Sequence, residues 1–324
     1  MLKLSSITVP LDGSSFAEQA LPLAADLARS SRATLRLALV HTAASTWDPG
    51  VTFSLFDPDV EVQVREREYA YLEALAARLG RAGELQVECA LLSGSIAESL
   101  EEYVVRTGTD LVVMTSHGRG GIGRMVLGNV ADQLVHRLHL PVMVLRPEEK
   151  KHQGTAAPAR RIMVPLDGSE VAASILDQAT TFARLMDSEL VLVSILQPIP
   201  ILIPPFLWPP EKLTESPEQR ELTTRRYLDA VKRDLQAQGL KVISLVRESS
   251  KVAREILRLA AEQECGLIAM ATHGASGLDR VMLGSVADQV MRHADIPVLL
   301  LRPVVVESPP AQACSCQLPQ MAGR

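Results

Sequence analysis

Two stretches of this chain combine the residue types and spacing of a phosphate cradle. Thr115-Ser116-His117-Gly118 is followed, after nine residues, by Gly128-Asn129, and Ala271-Thr272-His273-Gly274 is followed, after nine, by Gly284-Ser285. Each stretch comes directly after a strand-like run ending at Met114 or Met270, and a helical period opens at its final pair. The first backbone amides of a helix lack intrahelical acceptors and lie at the positive end of its dipole, and glycine lets an anion come close to them. The competing explanation is architectural. Asn129-x-x-Asp132 and Ser285-x-x-Asp288 read as helix N-caps, a feature worth about 1 kcal/mol to any helix. Capping accounts for Asn129 and Ser285, but not for glycines at matching spacing in both loops.

Other residues carry a weaker chemical signal. Asp12 and Asp167 each follow a first strand and precede Gly-Ser, so each either faces a ligand or makes a turn. Arg124 and Arg280 fall at equivalent points inside the loops, where an arginine steers a phosphate or is simply solvated. His117 and His273 are equally well explained as turn residues, and no catalytic role is assigned to them. Gly118-x-Gly120-x-x-Gly123 matches the dinucleotide fingerprint by letter, but it follows the fourth strand instead of the first, and the second loop has Ser276 and Asp279 in place of two of its glycines. There is no G-x4-G-K-(S/T), and no triad, acid pair or zinc set recurs at a shared spacing. Catalytic residues and metal ligands are therefore not expected.

The loops belong to a chain that is written twice. Ile7-Thr8-Val9-Pro10-Leu11-Asp12-Gly13-Ser14 returns as Ile162-Met163-Val164-Pro165-Leu166-Asp167-Gly168-Ser169, and Pro141-Val142-Met143-Val144-Leu145-Arg146-Pro147 returns as Pro297-Val298-Leu299-Leu300-Leu301-Arg302-Pro303. Within the first repeat, strands are expected over 6–10, 35–40, 85–90, 111–114 and 142–145. Helical periods are marked by Ala20, Ala24, Leu27 and Ala28; by Tyr69, Leu72, Leu75, Ala76 and Leu79; by Ile96, Leu100, Tyr103 and Val104; and by Val130, Leu134, Val135 and Leu138. Strand-helix alternation implies a doubly wound α/β fold in each repeat: a mainly parallel, five-stranded, Rossmann-like sheet covered on both faces. Ligands of such sheets bind beyond the carboxyl ends of the strands, where both loops lie. Pro22 requires the first helix to start late or to kink.

The expected boundaries are 1–147 and 161–303 for the two domains, a polar linker over 148–160, and a flexible tail over 304–324. The 324 residues suit two such domains, and a net charge of −5 argues against nucleic acid or an anionic membrane as the main partner. The start of the chain lacks a signal-like apolar run and no stretch approaches a membrane span, so a cytoplasmic protein is expected. Cys89 and Cys265 read as ordinary thiols, and Cys314-x-Cys316 lies in the tail. The apolar, proline-rich segment from Pro198 to Pro210 either packs over its own domain or covers a ligand or the domain seam.

With these residues in view, the chain resembles the tandem universal stress proteins. ATP-binding members of that family carry G-x2-G-x9-G-(S/T) at this loop and an aspartate after the first strand. The resemblance implies a nucleotide lined in the first repeat by Pro10, Asp12, Val40, Met114, Thr115, Gly118, Gly128, Asn129 and Val130. In the second repeat it implies Pro165, Asp167, Ile195, Met270, Ala271, Gly274, Gly284, Ser285 and Val286. The aspartates would face the ribose, Val40 and Ile195 would offer backbone groups to adenine, and the loop residues would hold phosphates. Both repeats depart from the pattern, with Thr115 and Ala271 at the first glycine and Asn129 at the terminal Ser/Thr, while Ser285 keeps it. The second repeat is therefore the stronger binder in this reading.

The implied occupant is ATP, or ADP or AMP, with or without Mg2+. The implied role is a stress sensor or regulator that works as an internal pseudo-dimer through the last strands, with an unidentified protein partner and a homodimer as a further option. The alternatives are a nucleotide-independent interaction module, or a weak ATP hydrolase or adenylyl-transfer enzyme.

Overall fold

The computed structural model of the chain describes residues 4–42, 58–81, 85–116, 128–146, 160–198, 216–272 and 284–303. In the first repeat, β1 (Ser6–Leu11) leads through a short 3-10 turn (Ala17–Ala20) into α1 (Leu21–Ser31). Then come β2 (Thr34–His41), α2 (Pro58–Gly80), β3 (Val87–Ser93), α3 (Ile96–Arg106), β4 (Leu111–Thr115), α4 (Asn129–Arg137) and β5 (Val142–Leu145). The second repeat follows the same plan: β6 (Arg161–Pro165), α5 (Glu170–Ala173), α6 (Leu176–Met186), β7 (Glu189–Leu196), α7 (Pro217–Ala237), β8 (Val242–Glu248), α8 (Val252–Glu262), β9 (Leu267–Ala271), α9 (Ser285–His293) and β10 (Val298–Leu301).

The fold is α/β, as the alternation implied, and the two five-stranded parallel sheets are joined. Their order is β3-β2-β1-β4-β5-β10-β9-β6-β7-β8, with the antiparallel β5–β10 pair as the seam. Val298, Leu299 and Leu300 stand opposite Val144, Met143 and Val142. Both seam strands are internal to the sheet, so the pairing is within the chain, and pairing a second chain through the same strands would require the seam to open.

Alternate residues of each strand feed two apolar layers that run across both repeats. Leu35, Leu37 and Leu39 of β2 pack with Leu72 and Leu75 of α2 and, across the seam, with the layer that holds Phe182. Val112 and Met114 of β4 point the other way, into the layer of α3, α4, α8 and α9. Because both faces are covered, the strands are apolar at consecutive positions instead of alternating with polar ones.

One local expectation is decided and two change. Pro22 causes no kink, because α1 starts at Leu21 after the 3-10 turn and places the proline in its first turn, where a missing N–H is tolerated. The third strand runs later than 85–90, because its ladder follows β2 out to the pairing of Ser93 with His41. The fourth strand of each repeat extends one residue past its methionine, to Thr115 and Ala271. Most of the expected linker, the tail and residues 199–210 of the proline-rich segment lie outside the described residues. Among the described residues, no helix is long and apolar enough to cross a membrane.

Candidate functional site

Strand order changes direction between β1 and β4, and likewise between β6 and β9, so a crevice opens beyond the carboxyl ends of each pair. In the second repeat this crevice is a cavity of about 140 Å³. Pro165, Leu166 and Asp167 come to it from the end of β6, Val193 and Ile195 from β7, and Met270, Ala271 and Thr272 from the end of β9. Val252 and Ile256 of α8 form an apolar wall, and Gly284 to Ala287 bring the start of α9. Eight of the nine residues expected from the sequence in this repeat border the one cavity. The ninth, Gly274, lies outside the described residues, as do Gly118, His117, His273, Arg124 and Arg280.

The helix start is arranged differently from the capping alternative. Gly128 and Gly284 are the N-cap residues, neither α4 nor α9 has a side-chain cap among the described residues, and Asn129 and Ser285 are the first helical residues. The capping roles of Asn129 and Ser285 are thus overturned. Asn129 Oδ1 instead accepts from Gln133 Nε2 at 2.9 Å. The first bond into the cap of α9 comes from Asp288, whose N–H donates to the Gly284 carbonyl at 2.9 Å, so the amides of Ser285, Val286 and Ala287 precede the helical ladder beside the cavity. Each loop is closed at its stem: Gly128 N–H donates to the Ser116 carbonyl and Gly284 N–H to the Thr272 carbonyl, both at 2.7 Å.

The aspartates after the first strands do make turns. Asp12 Oδ1 accepts from the Ser14 amide (2.9 Å) and hydroxyl (2.6 Å), and Asp167 Oδ1 from the Ser169 amide (3.0 Å) and hydroxyl (2.6 Å). The turn occupies one carboxylate oxygen and aims the residue over the crevice, so the turn and ligand readings are compatible. Pro10, Asp12, Val40, Met114, Thr115, Gly128, Asn129 and Val130 occupy the corresponding ends of β1, β2 and β4 and the start of α4.

Some surroundings were not anticipated. His41, one residue beyond Val40 and 4% exposed, sits between two carboxylates of α2, with Nδ1 2.7 Å from Glu68 Oε2 and Nε2 2.6 Å from Glu61 Oε1. The signal available in the sequence was a pair of glutamates seven apart, on one helix face, following a strand-end histidine. Val252 and Ile256, four apart on one helix face, were legible in the same way. Burial pushes the Tyr227 hydroxyl up, and the charge of Asp167 adds to this. Burial also pushes the Cys265 thiol up to about 11, which leaves it protonated and unreactive near neutral pH.

In chemical terms the second crevice offers apolar walls for a flat base, one carboxylate, and an uncapped helix start for an anion. Asp167 is the one ionisable side chain in its described lining, and its Oδ1 accepts from the Ser169 amide and hydroxyl.

Comparison with known proteins agrees with this architecture. A universal stress protein of Mycobacterium tuberculosis is 27% identical over 313 residues, covering 91% of this chain and 94% of the relative. One from Methanocaldococcus jannaschii is 29% identical over 143 residues, covering 44% of this chain and 82% of the relative. The crystal structure of a universal stress protein from Archaeoglobus fulgidus has a TM-score of 0.70 at 16% identity, covering 94% of this chain and all of the other, which supports the fold alone. The model of the universal stress protein family matches residues 4–146 and again 158–302. The chain therefore belongs to the universal stress protein family, as a tandem of two such domains.

Proposed function

We propose that this chain is a cytoplasmic, adenine-nucleotide-binding stress regulator whose second repeat holds ATP, with ADP or AMP as competing occupants. The observation that carries this reading is the convergence of Pro165, Asp167, Ile195, Met270, Ala271, Gly284, Ser285 and Val286 on one cavity beside an uncapped helix start. Adenine would lie against Ile195 and the α8 wall, the ribose would face Asp167, and phosphates would meet the amides of Ser285 to Ala287. At about 140 Å³ the described walls enclose one end of such a ligand, since whole small-molecule clefts run to ~300 Å³ or more. Among the described residues no group of three His, Cys, Asp or Glu could hold a metal, so Mg2+ would be carried by the phosphates. Occupancy would change stability or partner affinity, and catalytic turnover is not part of this reading.

Titration calorimetry with ATP on the full chain, beside Gly284→Asp and Gly128→Asp, tests the proposal. Each added carboxylate fills and repels one anion site. Two sites in the unaltered chain, with one lost in each variant, would mean that both repeats bind. One site, abolished by Gly284→Asp alone, would make the first repeat a structural partner. No heat, together with no rise in melting temperature with ATP, ADP or AMP, would overturn the nucleotide reading in favour of an interaction module.

A further inference from the structure

We infer that the two crevices are coupled across the β5–β10 seam and that Arg302 is the positioning residue that links them. The inference rests on the nucleotide reading above and adds regulation to it. In each repeat the stem of the glycine loop is bonded to the seam strand itself. The Ser116 amide donates to the Leu145 carbonyl at 2.7 Å, and the Thr272 amide donates to the Leu301 carbonyl at 2.9 Å. Leu145 and Leu301 end β5 and β10, and these strands are each other's antiparallel partners. A loop stem that tightens on a phosphate therefore pulls on the seam.

The residue after each seam strand is an arginine that crosses to the other repeat. Arg302 donates to the main-chain carbonyl of His136, in the last turn of α4, the first-repeat counterpart of α9. A guanidinium at the carbonyl end of a helix complements its dipole and holds its free acceptors. Arg146 makes the reciprocal crossing to Asp295 at 3.5 Å, but that aspartate is 94% exposed and the pair is weak.

A second link also ends on α4. Arg292 of α9 holds Asp288 at 2.8 Å through Nε and lies 3.9 Å from Asp132 of α4. His136, the counterpart of Arg292 in the first repeat, bonds instead to the Asp132 carbonyl of its own helix at 2.6 Å. The elements that carry the second crevice thus grip α4 at both links, and α4 is the element expected to respond. Since coupling is reciprocal, occupancy of the first crevice must favour or disfavour the second by the same factor.

The experiment is amide hydrogen exchange on the full-length Gly128→Asp variant, in which ATP can reach only the second crevice. Expected is slower exchange in α9 and also in residues 129–137, the latter by about five-fold or more. Adding Arg302→Ala should remove most of the effect on α4, leaving only what the 3.9 Å approach of Arg292 to Asp132 carries, while α9 stays protected by ATP. Arg302→Gln, which keeps side-chain bulk, should give the same result if alanine loosens the seam. Protection of α9 with no change in α4 overturns the coupling and leaves the nucleotide reading intact. Protection of α4 that is undiminished in both Arg302 variants overturns the role given to Arg302. No protection by ATP anywhere, in the variant or the unaltered chain, overturns the nucleotide reading and the coupling with it.

Discussion

At the ends of β2 and β7, and in the helices α2 and α7 that pack beside them, the two repeats share a plan and differ in chemistry. In the first, His41 is held between Glu61 and Glu68, and Arg65 reaches the Ser93 hydroxyl at 2.9 Å, tying α2 to two strand ends. In the second, Leu196 takes the place of His41, and a cavity of about 400 Å³ opens among Leu196, Gln197, Arg220 and Arg247. A second divergence lies nearby. The Tyr71 hydroxyl donates to Glu18 at 3.2 Å, and Arg78 holds the same carboxylate at 3.1 Å. The second repeat keeps the tyrosine as Tyr227 but has Ala173 and Asp234 where Glu18 and Arg78 would be, and the buried Tyr227 hydroxyl has no hydrogen-bond partner among the described residues.

The apolar positions that close the sheet recur in both repeats because each large buried side chain is worth several kcal/mol. The polar contacts at the rim are worth about 1 kcal/mol apiece and are free to diverge.

The largest test concerns whether the shared core is one unit. Phe182, 1% exposed and matched by Leu27 in the first repeat, belongs to a layer that spans both repeats. Phe182→Ala should cost about 3–5 kcal/mol in a single urea transition. Two transitions with one of them unmoved would show that the repeats unfold independently. Next, His41→Leu makes the first repeat like the second and should cost about 1–3 kcal/mol, because two partly desolvated carboxylates lose their partner. Leu196→His should return nothing, since Pro217 and Thr224 stand where Glu61 and Glu68 do. An unchanged unfolding midpoint for His41→Leu would remove the clamp from the comparison. The smallest effects come from the tyrosines. Tyr71→Phe should lose about 1 kcal/mol, whereas Tyr227→Phe should lose nothing or gain slightly, as its hydroxyl has no hydrogen-bond partner among the described residues. Equal losses would mean that Tyr227 does have a partner.

Much of the fold was legible because its signals are local. The repeats, the strand-helix alternation and the position of the crevice follow from apolar periodicity and from glycine and aspartate at fixed offsets. The miss at β3 shows where local reading stops: its end is set by pairing with β2, not by its own residues. The N-caps failed for a related reason. Asn129 and Ser285 have the right chemistry for a cap, yet Gly128 and Gly284, bonded back to Ser116 and Thr272, hold the cap position, so the loop stem decides where the helix starts.

By itself the sequence determined that this protein has two α/β domains, each with a glycine-bearing segment between its fourth strand and the helix that follows, because periodicity, turn chemistry and repetition act over a few residues. Tertiary structure alone decided that β5 and β10 join the halves into one sheet and that Arg302 reaches α4 of the other repeat, and it turned the helix-face spacings of Val252 and Ile256 and of Glu61 and Glu68 into a crevice wall and a clamp on His41. These contacts join residues far apart in the chain, and their geometry exists only once strands and helices have packed.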